Sequence, residues 1–378
     1  MAAPLTTLEQ GIAVLTDSAR FKTYSFNNTV IGVGASLLGS LALLAGAGLL
    51  YQGLAMRREA RRYPPLGRFV EVDGRKMHLI CMGQGQPTVV FDSGLSGSAL
   101  DWSRVQPVVA SFTQACAYDR AGCGWSAPGP RPRTSQHIAD DLHALLQAAG
   151  IEPPYLLVGH SSGGLNVRIY AHRYPVEVAG LVLVDAAHEG QRERVPRRPL
   201  VARLMDEVRW RRMYLYPLGA RLGLMRLLKR PNGIIDALPQ ELQPIATSVG
   251  LRSRAYDWIV TEAAAIKESE EQARRAGSLG ALPLVVVSAH VRSAPPGLSI
   301  AQADHLWQEM QEELATLSTQ STRIVAEGSG HVIHLDQPDL VVEAIRSLVE
   351  TVRRQQLVWR QDGGAGNPAT PFPIPSYT

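Results

Sequence analysis

Short apolar runs alternate with stretches of helical period along most of the chain. "TVVFD" (Thr88–Asp92), "QACAYD" (Gln114–Asp119), "YLLVGH" (Tyr155–His160), "GLVLVD" (Gly180–Asp185), "LPLVVVSAH" (Leu282–His290) and "TRIVAEG" (Thr322–Gly328) are too short for helices and read as buried strands. "RFVEVDGRKMHLICMG" alternates with period two and turns at Asp73-Gly74, which predicts a hairpin. "TSQHIADDLHALLQAAG" opens on the cap residues Thr134 and Ser135. It then repeats Ile138, Leu142, Leu145 and Leu146 at helical spacing and stops at Gly150. Further helices are expected around Asp304–Leu317 and over Pro338–Arg353. This alternation predicts an α/β fold: a mostly parallel central sheet with flanking helices and right-handed crossovers.

Two stretches break the alternation. "VIGVGASLLGSLALLAGAGLL" (Val30–Leu50) carries no charge. At ~1.5 Å per residue it spans ~30 Å, the hydrocarbon thickness of a bilayer. The competing reading is a cleaved signal peptide, for which the 29 residues ahead of the run are long. The second stretch, residues 188–280, has helical patterns but no clear strand. A loop of about 90 residues is implausible in a compact domain, so a helical cap inserted between two strands is expected. The organisation is then an N-terminal segment 1–29, a transmembrane helix 30–51, a core made of 68–187 and 281–354, a cap 188–280, and a tail 363–378. The tail is rich in Pro and Gly and is expected to be disordered.

Composition changes this picture in three places. The net charge is only +4 and no DNA or RNA motif accompanies it, so nucleic acid is not an expected partner. Arg57, Arg58, Arg61 and Arg62 follow the apolar run, against Arg20 and Lys22 before it. The positive-inside rule makes this a single-pass protein with its C-terminal bulk in the cytoplasm. A second basic block lies between Arg192 and Arg230, mixed with Leu, Met, Tyr and Trp. It reads as an ordinary amphipathic lid, or as a face that meets anionic lipid headgroups while its apolar side lines an acyl pocket. The three cysteines, Cys81, Cys116 and Cys123, are too few for a disulfide framework. Buried thiols in a reducing compartment are expected, with a Cys116–Cys123 bridge as the alternative.

The candidate chemistry centres on Gly159-His160-Ser161-Ser162-Gly163, which fits G-x-S-x-G with Ser161 in the middle. A nucleophile on a sharp strand-to-helix turn needs small residues two places to either side, and the turn aims backbone N–H groups at a developing oxyanion. Ser162 does not fit the frame, because His160 stands two places before it. A serine also needs a base. His331 sits in the Gly-rich "EGSGHVIHLDQP", after the last strand and before the last helix, and His334 is the alternative. The third member, which orients the imidazole, belongs between serine and histidine in chain order. Asp185 ends the strand after the elbow; Asp304, at a helix start, is the alternative. The loop "FDSGLSGSALDW" offers Leu95 N–H as an oxyanion donor beside Ser162 N–H. No metal or cofactor is required by this chemistry.

Together "DSGLSGSALDW", "YDRAGCGWS", "VGHSSGG", "LVLVDAAH" and "GSGHVIHLDQP" resemble the α/β-hydrolase superfamily, in the branch of serine esterases that includes the pimeloyl-type methyl-ester carboxylesterases. The resemblance covers roughly residues 68–353. It implies the α/β-hydrolase fold, Ser161 as nucleophile, His331 as base, and Leu95 and Ser162 as oxyanion donors. Asp119 and Arg120 match a loop that the family uses structurally. Two departures stand out: no carboxylate follows the penultimate inner strand, where the family commonly has its acid, and Ser93-Gly94 replaces the common His-Gly. Relatives such as haloalkane dehalogenases and epoxide hydrolases use an aspartate nucleophile where Ser161 stands. The expected activity is hydrolysis of a small-molecule or lipid-like carboxylic ester or thioester by a membrane-anchored serine hydrolase. Acyl transfer, C–C hydrolysis or lyase chemistry on the same residues, and a non-catalytic binding protein, are the competing readings.

Overall fold

The computed structural model describes residues 8–194, 208, 211–295 and 297–361. Eight strands form one sheet: β1 (Arg68–Val72), β2 (Arg75–Met82), β3 (Thr88–Asp92), β4 (Ala115–Tyr118), β5 (Tyr155–His160), β6 (Val178–Val184), β7 (Leu284–Ala289) and β8 (Ser321–Ala326). Their spatial order is β1-β2-β4-β3-β5-β6-β7-β8. β1, β2 and β4 pair antiparallel, the first two through the Asp73-Gly74 turn, and every other pairing is parallel.

The central strands β3, β5, β6 and β7 are buried along their whole length, because helices cover both faces of the sheet. Val90, Leu157, Leu181, Leu183 and Val286 point to one side, where they meet Leu142 and Leu145 of helix Ser135–Ala148 and Leu165 and Ile169 of helix Gly163–Arg173. Phe91, Leu156, Val158, Val182 and Val287 point to the other, against Val341, Ile345 and Leu348 of helix Pro338–Gln361. Each leucine so buried contributes about 2 kcal/mol of transfer free energy. This core is the platform on which the loops at the C-terminal ends of the strands are held.

Between β6 and β7 the described residues form helices, including Tyr216–Arg221, Leu224–Leu227, Gln243–Gly250 and Ser253–Ala276. The long helix Ser253–Ala276 ends at Gly277, whose φ of 65° no β-carbon-bearing residue adopts readily. Leu238, Ala246 and Val249 pack on Leu100, Trp125 and Leu335, and so seat these helices over the strand ends. Residues 195–207 and 209–210 of the basic stretch lie outside the described residues, as does the tail 363–378.

Two expectations need correction. The apolar run is not a separate element: one 55-residue helix runs from Leu8 to Arg62. The flank after the run, with four Arg and two Ala in residues 51–62, continues the helix until Pro64-Pro65 forbids it. Its Val30–Arg62 part is long and apolar enough to cross a membrane, with a mean hydropathy of 2.0 and none of its apolar window buried. The cysteines also differ from expectation. Antiparallel register sets Cys81 directly opposite Cys116, with Cα atoms 4.1 Å apart, and the two are joined as a disulfide. Cys123 is the buried free thiol. Spacing along the chain could not show a pairing that the β2–β4 register creates.

Candidate active site

β5 runs straight into the turn that carries Ser161. Ser161 has φ 53°, a left-handed backbone that costs a non-glycine residue roughly 1–3 kcal/mol. Neighbouring main chain holds it there: Ser161 N–H donates to Val184 O at 3.1 Å, and Ala187 N–H donates to Ser161 O at 2.9 Å. The flanking glycines are required by space. A β-carbon on Gly159 would lie 2.6 Å from Gly163 O, and one on Gly163 would lie 2.4 Å from Asp92 O.

The structure brings Ser161, His331 and Asp185 together. Ser161 Oγ is 3.0 Å from His331 Nε2, and His331 Nδ1 is 2.6 Å from Asp185 Oδ2. A carboxylate only accepts, so Nδ1 carries the imidazole proton and Nε2 faces the serine hydroxyl as an acceptor. Asp185 is buried and itself has φ 42°, at the end of β6. Its Oδ1 accepts from Ala289 N–H and Trp307 Nε1–H, each at 2.9 Å. The His331 loop is fixed by Asp336, whose Oδ2 accepts from Ser329 Oγ–H at 3.0 Å and from Gly330 N–H at 3.1 Å. Asp304 lies elsewhere: it accepts from Val291 N–H at 2.7 Å and sits 2.8 Å from His290 Nδ1.

Gly94 brings the loop after β3 against the elbow. A β-carbon there would lie 3.0 Å from Ser161 Cβ and 2.9 Å from His160 Nδ1. Leu95 follows in this loop, and Ser162 opens helix Gly163–Arg173. Among the described residues no protein group accepts from the backbone N–H of either. Arg120 braces the loop from below. Its Nη1 donates to Ser93 O and to Asp92 Oδ1, both at 2.5 Å, and its Nη2 donates to Gly94 O at 2.8 Å. The same guanidinium forks onto Glu262 of the long cap helix at 2.9 and 3.0 Å. Asp119 ties the next turn, accepting from Ala99 N–H, Trp125 N–H and His78 Nδ1. Burial acts to raise its pKa, but these hydrogen bonds and the His78 charge outweigh it and hold the carboxyl below its usual range.

Two further histidines back the site. His160 is buried, with its Nε2 2.8 Å from His331 O and its ring 4.7 Å from the His331 ring. His334 is fully buried, between His160 at 4.4 Å and Trp102 at 4.7 Å, and neither of its nitrogens has a hydrogen-bond partner among the described residues. Burial, with His331 alongside, pushes His334 down to about 3, and burial together with the other two imidazoles holds His160 well below the usual range. Both rings are therefore neutral packing groups near neutral pH. Trp307 and Glu262 were not visible from sequence: each bonds a residue more than 100 positions away, Asp185 and Arg120, and no local motif marks either. Among the described residues no cluster of His, Cys, Asp or Glu is arranged to hold a metal ion.

A mostly parallel sheet with a serine on the β5 elbow, an acid at the end of β6 and a histidine after β8 is the α/β-hydrolase fold. The family model for that fold matches residues 87–210. The chain is similar to the "Probable transporter efuK" of Hormonema carpetanum, 26% identical over 317 residues, which are 78% of this chain and 44% of that protein. It thus spans less than half the length of that relative. Among solved structures it is similar to an esterase from Thermogutta terrifontis, with a TM-score of 0.55 and 20% identity over 75% of this chain and 98% of that one. The epoxide hydrolase CorEH is as similar, with a TM-score of 0.54 and 17% identity over 75% of this chain and 98% of that one. At these identities the likeness is one of fold.

Proposed function

We propose that the protein is a membrane-anchored serine hydrolase that cleaves carboxylic esters or thioesters through an acyl-enzyme on Ser161. The observation that carries this reading is the continuous chain from Ser161 Oγ through His331 to Asp185, at 3.0 and 2.6 Å. His331 Nε2 would take the hydroxyl proton as Oγ attacks the ester carbonyl, then return it to the leaving alcohol or thiol. Water, activated by the same nitrogen, would release the acid. The tetrahedral oxyanion would be held by Leu95 and Ser162 N–H; one such donor is typically worth roughly 10²–10³ in rate. A hydroxyl rather than a carboxylate at the elbow favours ester over epoxide or halide substrates, and the motif order fits a serine hydrolase without choosing its substrate. Hydrolysis of p-nitrophenyl esters and thioesters of increasing acyl length, with product analysis, tests the reading. Free acid as product supports it; transfer to an added alcohol alone, or no turnover by folded protein, contradicts it.

The anchor is the helix through Val30–Arg62, none of whose apolar window is buried. For topology, the flanking arginines and the disulfide point to opposite sides. Disulfides persist in oxidising compartments, and the arginine asymmetry is four against two, so we place the hydrolase domain on the extracytoplasmic side.

A further inference from the structure

Where the N-terminal helix meets the cap, a groove of about 490 Å³ opens between them. Its walls change character along the helix: Tyr51 and Leu54 at one end, then Arg58, Arg62 and Tyr63, with Arg226 of the cap opposite. We infer that this groove holds one phospholipid of the bilayer, its acyl chains along Tyr51 and Leu54 and its phosphate between Arg58 and Arg62. The inference rests on reading Val30–Arg62 as a membrane span.

Charge argues for an anionic occupant. Arg226 is already neutralised, since it forks onto Glu59 and also donates to Gln52 Oε1 at 3.0 Å. Glu59 is taken by Arg226, and among the described residues no carboxylate pairs with Arg58 or with Arg62, whose guanidinium stands 5.5 Å from the centre of the Tyr63 ring. They stand four apart, on one face of the helix, as a phosphate would require. Depth argues for a lipid rather than a free anion. The cap is pressed against the end of the span: a β-carbon on Gly48 would lie 2.4 Å from Leu222 O, and Gly223, with φ 73°, faces the Tyr51 ring. Buried Gln52 donates to Leu251 O at 2.9 Å. On that side of the cap Leu218, Leu224, Leu227 and Leu228 are 45–65% exposed. Apolar side chains at the level where the span leaves the bilayer suit the edge of the acyl layer.

The test uses the full chain in nanodiscs of phosphatidylcholine and phosphatidylglycerol, released for native mass spectrometry. The wild type should retain phosphatidylglycerol, and Arg58→Gln with Arg62→Gln should weaken retention about twenty-five-fold, about fivefold for each arginine. Equal retention by wild type and variant would overturn the site. Seating in the membrane is read separately by a dye on Leu227→Cys, on Leu38→Cys in the span, and on Val176→Cys at the opposite end of the sheet. Cys81 and Cys116 are joined and Cys123 is buried, so the introduced thiol is the accessible one. Lipids brominated on their acyl chains should quench the dye at 38 and 227 several-fold more than at 176. Quenching at 38 but not at 227, as a second copy of the chain covering the cap would give, overturns the inference and leaves the anchor standing. Loss of quenching at both positions overturns the anchor as well.

Discussion

Trp307 and His331 bind opposite oxygens of one buried carboxylate. The indole Nε1–H donates to Asp185 Oδ1 at 2.9 Å, while the imidazole holds Oδ2 at 2.6 Å. The indole therefore sets the angle at which the Asp185 carboxylate meets the His331 imidazole. Trp307→Phe removes this donor and keeps most of the packing. We expect kcat to fall roughly tenfold, with KM and folding almost unchanged. Equal steady-state kinetics for the variant and the wild type would remove Trp307 from this role.

Arg120 joins the loop after β3 to the cap through Glu262. Glu262→Gln leaves a buried guanidinium with one carboxylate instead of two, and should cost about 3 kcal/mol of stability. Because Arg120 positions the Ser93 and Gly94 carbonyls, kcat should fall more than KM rises. A variant destabilised to this degree with unchanged kcat would confine the network to a structural role.

Burial keeps His334 neutral down to about 3, against 6.5 in an ordinary histidine. Above 6.5 neither folded nor unfolded chain binds this proton, so it does not affect stability. As pH falls below 6.5 the unfolded chain takes up the proton first, and stability drops, by up to about 1.4 kcal/mol per pH unit, until about pH 3. His334→Phe abolishes this loss and should resist acid unfolding better than the wild type, with the gap widening as pH falls. Tryptophan fluorescence in urea at several pH values checks it; a gap independent of pH would contradict it.

The disulfide closes a separation of 35 residues, for which loop-closure entropy gives about 4 kcal/mol. Peptide mapping without reductant should find Cys81 linked to Cys116 and Cys123 free, and reduction should lower the thermal midpoint. Three free thiols in protein isolated from its native host would argue for a reducing compartment, and so for the cytoplasmic placement that the arginines suggest.

Much of this architecture is legible in the sequence because its signals are local. β3, β5, β6 and β7 are continuous apolar runs since both their faces are covered. Ser161 is marked by glycines two places away that the elbow needs for space, and His331 by the turn before the last helix. The choice between Asp185 and Asp304 was only partly legible. Chain order admits both, and three-dimensional neighbours separate them: Asp304 is occupied by His290 and Val291 N–H. Trp307, Glu262 and the Cys81–Cys116 pair were illegible, because each partner is set by tertiary packing or strand register rather than by nearby residues.

The central claim is that Ser161 is an activated nucleophile served by His331 and Asp185. Labelling of the purified full chain with a fluorophosphonate probe tests it most directly, beside Ser161→Ala, His331→Ala, Asp185→Asn and Asp304→Asn. The account predicts labelling of the wild type and of Asp304→Asn, none of Ser161→Ala, and severe slowing in His331→Ala and Asp185→Asn. Ester turnover should fall by about 10⁶-fold without the serine and about 10⁴-fold with Asp185→Asn. A folded wild type that takes no label, or a Ser161→Ala variant that still does, would contradict the account.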